Sequence, residues 1–240
     1  MSGASRRGEA GVQAGGPDME PEQRDTGEGD PDRNAEPGDP GQAAGAVIGL
    51  YQRHAAAFLA ARTTRLVEKA WLDRFLDIAG RGAAILDVGC GSGVPIAAYM
   101  AGRGARVTGV DSSPALLAAF AGNVPGATAI LSDMRSIRLE QRFAGMLAWD
   151  SLFHLTRDDQ RAMLARLAAH AAPGAALMFN SGPADGIAIG AFEGEPLFHA
   201  SLDPGAYRAL LASHGFSVIA HRADDADCGG RTVWLFGREG

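Results

Sequence analysis

Ile85-Leu86-Asp87-Val88-Gly89-Cys90-Gly91-Ser92-Gly93 decides how the rest of this chain is read. Ala84, Ile85 and Leu86 form an apolar run that meets an acid, and glycines then recur at every second position. A short apolar run bounded by glycine reads as a buried strand. The glycines after it read as a tight turn that lets backbone approach a ligand closely. Residues 94–100 continue as a helix, so the unit is strand, glycine turn, helix, the opening of an α/β nucleotide-binding domain. Its spacing is G-x-G-x-G, and Val94 stands where the dinucleotide fingerprint places its last glycine or alanine. Asp87, two residues before the first glycine, would repel a pyrophosphate. It suits a ligand that is cationic or rich in amine and hydroxyl donors.

Downstream, strands and helices alternate. Residues 105–110 read as a second strand ending in Asp111-Ser112-Ser113-Pro114. Asp111 follows the glycine turn by about 20 residues, the placement from which an acid accepts hydrogen bonds from both ribose hydroxyls. Ser113 with Pro114 is an N-cap and first-turn proline. A third strand, 127–131, leads to Ser132-Asp133-Met134, and a fourth, 143–149, ends at Trp149 before Asp150-Ser151-Leu152-Phe153-His154. Ligands of open α/β sheets bind outside the carboxyl ends of the strands, so these exits are the candidate site. A helix capped by Thr156 runs to His170, and 175–180 is a fifth strand. Residues 181–201 lack helical periodicity and carry Glu193, Glu195 and His199. They read as a long loop of functional type. After a helix opened by Asp203-Pro204, strands 216–220 and 232–236 follow one another directly, which implies an antiparallel hairpin. The predicted fold is a Rossmann-like three-layer α/β sandwich around a seven-stranded, mostly parallel sheet with an antiparallel last strand.

The segment I-L-D-V-G-C-G-S-G, with G-V-D-x-S at 109–113, resembles the class I S-adenosylmethionine-dependent methyltransferases of small-molecule type. The resemblance implies S-adenosyl-L-methionine as cofactor, held by Asp87, Gly89, Cys90, Gly91, Gly93, Asp111, Ser112, Asp133, Met134 and Trp149. In that family the acid near position 133 bonds the adenine amino group and the next residue packs on the ring. Asp150 and His154 after the fourth strand, with Tyr51 in an N-terminal helix, resemble the small-amine branch, where a tyrosine and a histidine latch over the acceptor. Tyr51, Asp150 and His154 are accordingly the candidate catalytic residues, with Asp150 placed to orient the histidine. Glu193, Glu195 and His199 are candidates to position a polar or cationic acceptor. Alternatives are a protein that binds S-adenosylmethionine without catalysis and an NAD(P)-dependent oxidoreductase.

Composition narrows the rest. Residues 1–45 hold four of the 22 basic and ten of the 28 acidic residues and almost no large apolar side chain, and are expected to be a disordered acidic tail. The methyltransferase domain is expected at 46–240, its first part, 46–80, being cap helices over the pocket that carry Tyr51 and Trp71. That domain has eighteen charges of each sign, without the basic excess nucleic-acid binding needs. The chain also lacks the N/D-P-P-Y and Pro-Cys signatures of DNA-base methylation. Cys90 and Cys228 suggest neither a disulfide framework nor a metal site. No apolar run reaches the roughly 18 residues of a membrane span, and no signal peptide is visible. The expectation is a cytoplasmic monomer or homodimer acting on a small molecule, away from membrane and nucleic acid.

Overall fold

The computed structural model describes residues 40–240, with side chains from residue 44 onward. Most of the expected tail lies outside the described residues, but its end does not: the first helix begins at Pro40. The strands are β1 (Ala84–Val88), β2 (Arg106–Asp111), β3 (Thr128–Leu131), β4 (Phe143–Ala148), β5 (Ala171–Ser181), β6 (Gly186–Phe192), β7 (Glu195–Ser201), β8 (Phe216–Asp225) and β9 (Arg231–Arg238). Seven of them form one sheet in the order β3-β2-β1-β4-β5-β9-β8. Pairing is parallel from β3 through β5, and β9 runs antiparallel to both its neighbours. This is the seven-stranded, mostly parallel sheet with an antiparallel last strand that the sequence led us to expect.

The helices are α1 (Pro40–Arg53), α2 (Ala55–Ala61), α3 (Lys69–Ala79), α4 (Ile96–Gly102), α5 (Pro114–Asn123), α6 (Arg157–His170) and α7 (Pro204–Ala212). Side chains on a strand alternate between faces, and β1 shows how that builds two cores. Leu86 and Val88 point to the face covered by Leu164 and Leu167 of α6 and Tyr207 of α7. Ile85 points to the other, against Leu72 and Phe75 of α3, Met100 of α4 and Phe120 of α5. All five residues of β1 are buried, which is why it reads as a continuous apolar run. Side-chain caps start three of the helices. Ser113 accepts from the Leu116 amide, Thr156 from Asp159, and Asp203 from Gly205 and Ala206.

Two elements depart from the sequence reading. The first of the cap helices expected in 46–80 breaks at His54, whose backbone leaves helical geometry between α1 and α2. Residues 181–201 are no loop. They hold the two-stranded antiparallel sheet β6–β7, turned at Glu193-Gly194, both with positive φ (51° and 78°). Such a pair is the conformation of a tight hairpin turn. Ala44, Val47 and Leu50 of α1 cluster with Leu197, Phe198 and Ala200 of β7. Glu195 accepts hydrogen bonds from Arg53 (Nε, 3.2 Å) and pairs with His54 (2.6 Å) beside that cluster. Exposed ion pairs add little, so the apolar cluster carries most of the attachment.

The packing of α3 on the sheet is close enough to test. A Cβ built at Gly145 of β4 would stand 2.6 Å from Phe75 Cζ and 2.6 Å from Ile85 Cδ1. Overpacking of this kind costs about 1–3 kcal/mol. Gly145→Ala is expected to lower the urea midpoint by that amount at unchanged slope, and adding Phe75→Leu should recover part of the loss.

Candidate active site

The glycine turn leaves β1 with four of its five amides already spent. Gly89 N (2.8 Å) and Cys90 N (3.1 Å) both donate to the Val110 carbonyl, Gly93 N donates to Cys90 O, and Gly91 N donates to Asp111 Oδ2 (2.9 Å). A phosphate-binding loop needs such amides free to point at the anion. Here they knit the end of β1 to the end of β2. Gly89 has φ +72°, and a Cβ there would overlap Ser151. Gly93 has φ +77°, and a Cβ there would come within 2.7 Å of Phe120 and Val124. Gly93 is thus a packing residue away from the cavity, and its expected ligand contact is corrected.

A cavity of about 290 Å³ opens at these strand ends. Of the expected cofactor residues, Gly89, Cys90, Gly91, Asp111, Ser112, Asp133, Met134 and Trp149 line it, and Asp87 and Gly93 do not. Asp87 is buried (3 % exposed) behind the wall. Burial first, and then the charge of Asp111, push its carboxyl up to about 7 against the opposing pull of Arg62. Asp111 accepts from Gly91 N through Oδ2 and from Ser113 N through Oδ1 (2.9 Å). A carboxylate has about two acceptor positions per oxygen, so one on each oxygen remains open. Asp133 is differently placed: it takes the Arg135 backbone amide and three contacts from the Arg135 guanidinium at 2.6–3.1 Å. Its acceptor positions are turned to Arg135. Ser92, also on the wall, buries its Oγ without a partner.

Asp150 does not orient His154. Its backbone sits at φ +48°. Its carboxylate is gripped by Arg231 Nε and Nη2 (both 2.9 Å) and by Asn180 Nδ2 (2.7 Å), with Arg62 Nη1 at 3.8 Å. Asn180 Oδ1 in turn accepts from Asp150 N (2.8 Å). Burial alone would raise this carboxyl, but Arg231, Asn180 and Arg62 together hold it below the ordinary range. A fork-on-carboxylate pair outcompetes a neutral imidazole, so Asp150 is a structural anchor of the wall and its expected orienting role is corrected.

His154 takes its orientation from a backbone group instead. Its Nδ1 lies 3.0 Å from the carbonyl of Phe198 on β7, and its Nε2 lies 3.1 Å from the Tyr51 hydroxyl. A carbonyl can only accept, so Nδ1 carries the proton and Nε2 receives the Tyr51 O–H. Tyr51 and His154, chosen as a candidate pair from the sequence, are thus in direct contact. Burial pushes His154 down to about 4, and burial together with Asp150 pushes Tyr51 up to about 12. Both are neutral near pH 7. Glu193 and Glu195 are absent from the cavity wall, Glu195 being spent on Arg53 and His54; His199 does line it.

Three cavity residues escaped the sequence reading. Arg62, after α2, donates to the Val94 carbonyl (3.3 Å) beside the glycine turn and brings a guanidinium onto the wall. Phe58 stands with its ring edge-on to Tyr51 at 5.5 Å. Arg135 is the partner of Asp133. The helical pattern of 47–61 hid Phe58 among core candidates. Arg62 follows the helix in a stretch without any motif.

Comparison with known proteins agrees with this architecture. Residues 85–174 match the model of a methyltransferase domain, and this matched segment bears the turn, Asp111, Asp133, Asp150 and His154. No curated protein sequence matches the chain. Among solved structures, the N1-methyltransferase of didemethyltoxoflavin from Burkholderia thailandensis is similar over 86% of this chain and 93% of its own, with a TM-score of 0.66 and 19% identity. The magnesium protoporphyrin IX methyltransferase from Synechocystis is similar over 82% and 97%, with a TM-score of 0.63 and 17% identity. An amino pentose methyltransferase from Micromonospora echinaspora covers 78% and 97%, with a TM-score of 0.62 and 21% identity. At these identities the likeness establishes the fold.

The Asp150–Arg231 pair yields a measurable expectation. Arg231→Met leaves a partly buried carboxylate short of its two charged hydrogen bonds, a loss of about 1.5–3 kcal/mol. Urea denaturation at neutral pH should show it, and adding Asp150→Asn should cost less than the sum of the two single losses.

Proposed function

We propose that this protein transfers a methyl group from S-adenosylmethionine to a small-molecule acceptor. The observation that carries the reading is Asp111, which ties down the glycine turn through Gly91 N while keeping one acceptor position open on each oxygen. Two adjacent ribose hydroxyls fit that pattern, and a turn with the amides of Gly89, Cys90, Gly91 and Gly93 already engaged suits a nucleoside better than a pyrophosphate. The same feature speaks against a dinucleotide oxidoreductase. Around it the residues suit the remaining parts of the cofactor. Met134 offers an apolar contact for adenine, and Asp133 can take the amino group by exchanging one contact to Arg135. Arg62 and the unpartnered Ser92 hydroxyl suit a carboxylate, and Asp87 suits the α-amino group from behind the turn.

When bound, S-adenosylmethionine supplies a methyl group made electrophilic by a sulfonium. The chain's task is then to hold the acceptor in line and exclude water, a positioning effect worth up to ~7–11 kcal/mol. Tyr51 and His154 lie on the cavity wall as a neutral hydroxyl–imidazole pair able to receive an acceptor proton. The charge balance of residues 46–240 and a cavity of about 290 Å³ suit a small molecule better than a nucleic acid. Among the described residues no helix is long and apolar enough to cross a membrane.

The direct test is thermal. S-adenosylhomocysteine at a hundred times its Kd should add about 2.7 kcal/mol, raising Tm by several degrees, and NAD or NADP should not. Asp111→Ala should abolish the shift. His154→Ala should keep it while lowering turnover by about 10²–10⁴-fold. No shift with the nucleoside at millimolar concentration would sink the reading.

Asp87 adds a pH signature. Burial and the charge of Asp111 push the Asp87 carboxyl up to about 7, and a ligand ammonium held at the turn it backs would favour the carboxylate. Binding of S-adenosylmethionine should therefore release protons at pH 7. The affinity should rise as pH increases through about 7 and flatten above it, since the bound proton competes only below that value. Calorimetry in two buffers of different ionisation enthalpy measures the release, and Asp87→Asn should remove it.

A further inference from the structure

The part of the cavity wall built by α1, β7 and the turn Leu152–His154 has a chemistry of its own. Val47, Ile48, Tyr51, Phe153, Leu197 and His199 form it. Alternation along β7 puts Leu197 and His199 on one face. The His199 ring packs 5.2 Å from Phe153 and 4.9 Å from His154, centroid to centroid. Gly190 on the paired strand leaves that ring room, since a Cβ there would already stand 3.4 Å from its Cε1. No hydrogen bond to either His199 nitrogen is found among the described residues, and burial alone disfavours its charged form. A neutral imidazole offers one donor and one acceptor. His199 is therefore a polar group on an aromatic and aliphatic wall with its hydrogen-bonding capacity unspent.

The charges around the cavity are, by contrast, engaged. Asp111 holds backbone amides, Asp133 holds Arg135, Asp150 holds Arg231 and Asn180, and Glu195 on β7 is turned to Arg53 and His54. With Asp111 assigned to the ribose, no carboxylate on the described cavity wall stands unpaired to neutralise an acceptor ammonium that would also face the donor's sulfonium.

Building on the donor reading above, we infer that the acceptor is an uncharged aromatic hydroxyl compound, bound between the rings of this wall with its hydroxyl held by His199. Transfer then balances without a further reactant. A lone pair of the hydroxyl oxygen forms the new C–O bond while the C–S pair returns to sulfur, turning the sulfonium into a thioether. The hydroxyl proton goes to the Tyr51 oxygen as the Tyr51 proton moves to Nε2 of His154, and water removes it afterwards. His154, lowered to about 4 by burial, is too weak a base for an alkylammonium of pKa about 10, a transfer roughly a million-fold uphill. An oxygen that is gaining a methyl group becomes acidic enough for a weak base. An aliphatic alcohol would present no face to Tyr51 and Phe153. This reading departs from the cationic acceptor of the small-amine branch.

The experiment compares matched skeletons that differ in charge. Phenol, naphthol and hydroxycoumarin are set against benzylamine and naphthylmethylamine at neutral pH. Binding is read by saturation-transfer NMR with and without S-adenosylhomocysteine, and turnover with S-adenosylmethionine by release of S-adenosylhomocysteine. At least one of the larger phenols should bind and be methylated on oxygen, with kcat/KM at least about tenfold above its amine partner. His199→Phe, which keeps the ring packing, should raise the phenol KM about tenfold or more while the S-adenosylhomocysteine thermal shift stays unchanged. His199→Gln should restore part of the KM. Amines bound and methylated as well as the phenols, no phenol bound in either state, or an unchanged KM in His199→Phe would each overturn the inference. A missing thermal shift would fault the donor reading separately, and phenol binding without the nucleoside would still decide on the acceptor.

Discussion

The approach of Gly89 to Ser151 is the constraint on which the site depends. No side chain fits between them, and the Ser151 hydroxyl donates to the Val88 carbonyl at 2.8 Å. The exit of β4 is thereby fastened directly to the turn after β1. Asp150 and His154 flank that contact within one short loop, so residues on the acceptor wall inherit their position from the turn that shapes the nucleoside side. Methyl transfer tolerates little error in the line between donor and acceptor. A rigid joint between the two walls meets that demand without any moving part, because strands β1 and β4 are parallel neighbours in the middle of the sheet.

The second regularity is that most of the cavity's charged groups are paired before any ligand enters. Amides of the turn bond to Val110 and Asp111, Asp133 bonds to Arg135, and Asp150 to Arg231. Buried polar groups left unpaired cost about 1–3 kcal/mol each, so this self-pairing lets a cleft with several charged side chains exist at little loss of stability. It also filters ligands. A ligand gains most where capacity is unspent, at the open positions of Asp111, at the Ser92 hydroxyl and at His199, and gains little from groups already paired. Asp87 is the exception: it is a buried carboxyl beside a second acid, which is why its protonation is poised near neutrality.

What could be read from the sequence was local chemistry. The strand, turn and helix at 84–102 announce themselves by spacing, and each later strand exit is marked by a polar residue after an apolar run. Tyr51 and His154 were paired through a family resemblance, and the fold brings them together across 103 positions. The partners of Asp150 could not be read that way. Arg231 lies 81 positions away and Asn180 thirty, and no rule of spacing connects them. The orienting partner of His154 is a backbone carbonyl, which every residue possesses and none advertises. The hairpin at 186–201 was hidden for a different reason. Its first strand, G-I-A-I-G-A-F, is small and largely exposed, so the alternation that marks a half-buried strand is faint. Its one clear signal was Glu193-Gly194 between two β-prone runs.

That hairpin is where fold and chemistry meet most closely. The Phe198 carbonyl sets the His154 tautomer, and the same strand presents His199 to the cavity. Were β7 displaced, Nδ1 would lose its acceptor. The proton could then move to Nε2, where it would meet the Tyr51 hydroxyl donor to donor. In the proposed reaction, the form of His154 that can receive a proton at Nε2 therefore requires β7 to be seated. Seating depends on α1, through Val47 and Leu50 against Leu197 and Phe198, and through Arg53 and His54 on Glu195. Tyr51 lies on that same helix, between the apolar contact and the ionic one. The helix that brings the hydroxyl to the histidine is thus also the element that holds the strand defining which nitrogen receives it. The two halves of the proposed proton path are assembled by one packing event.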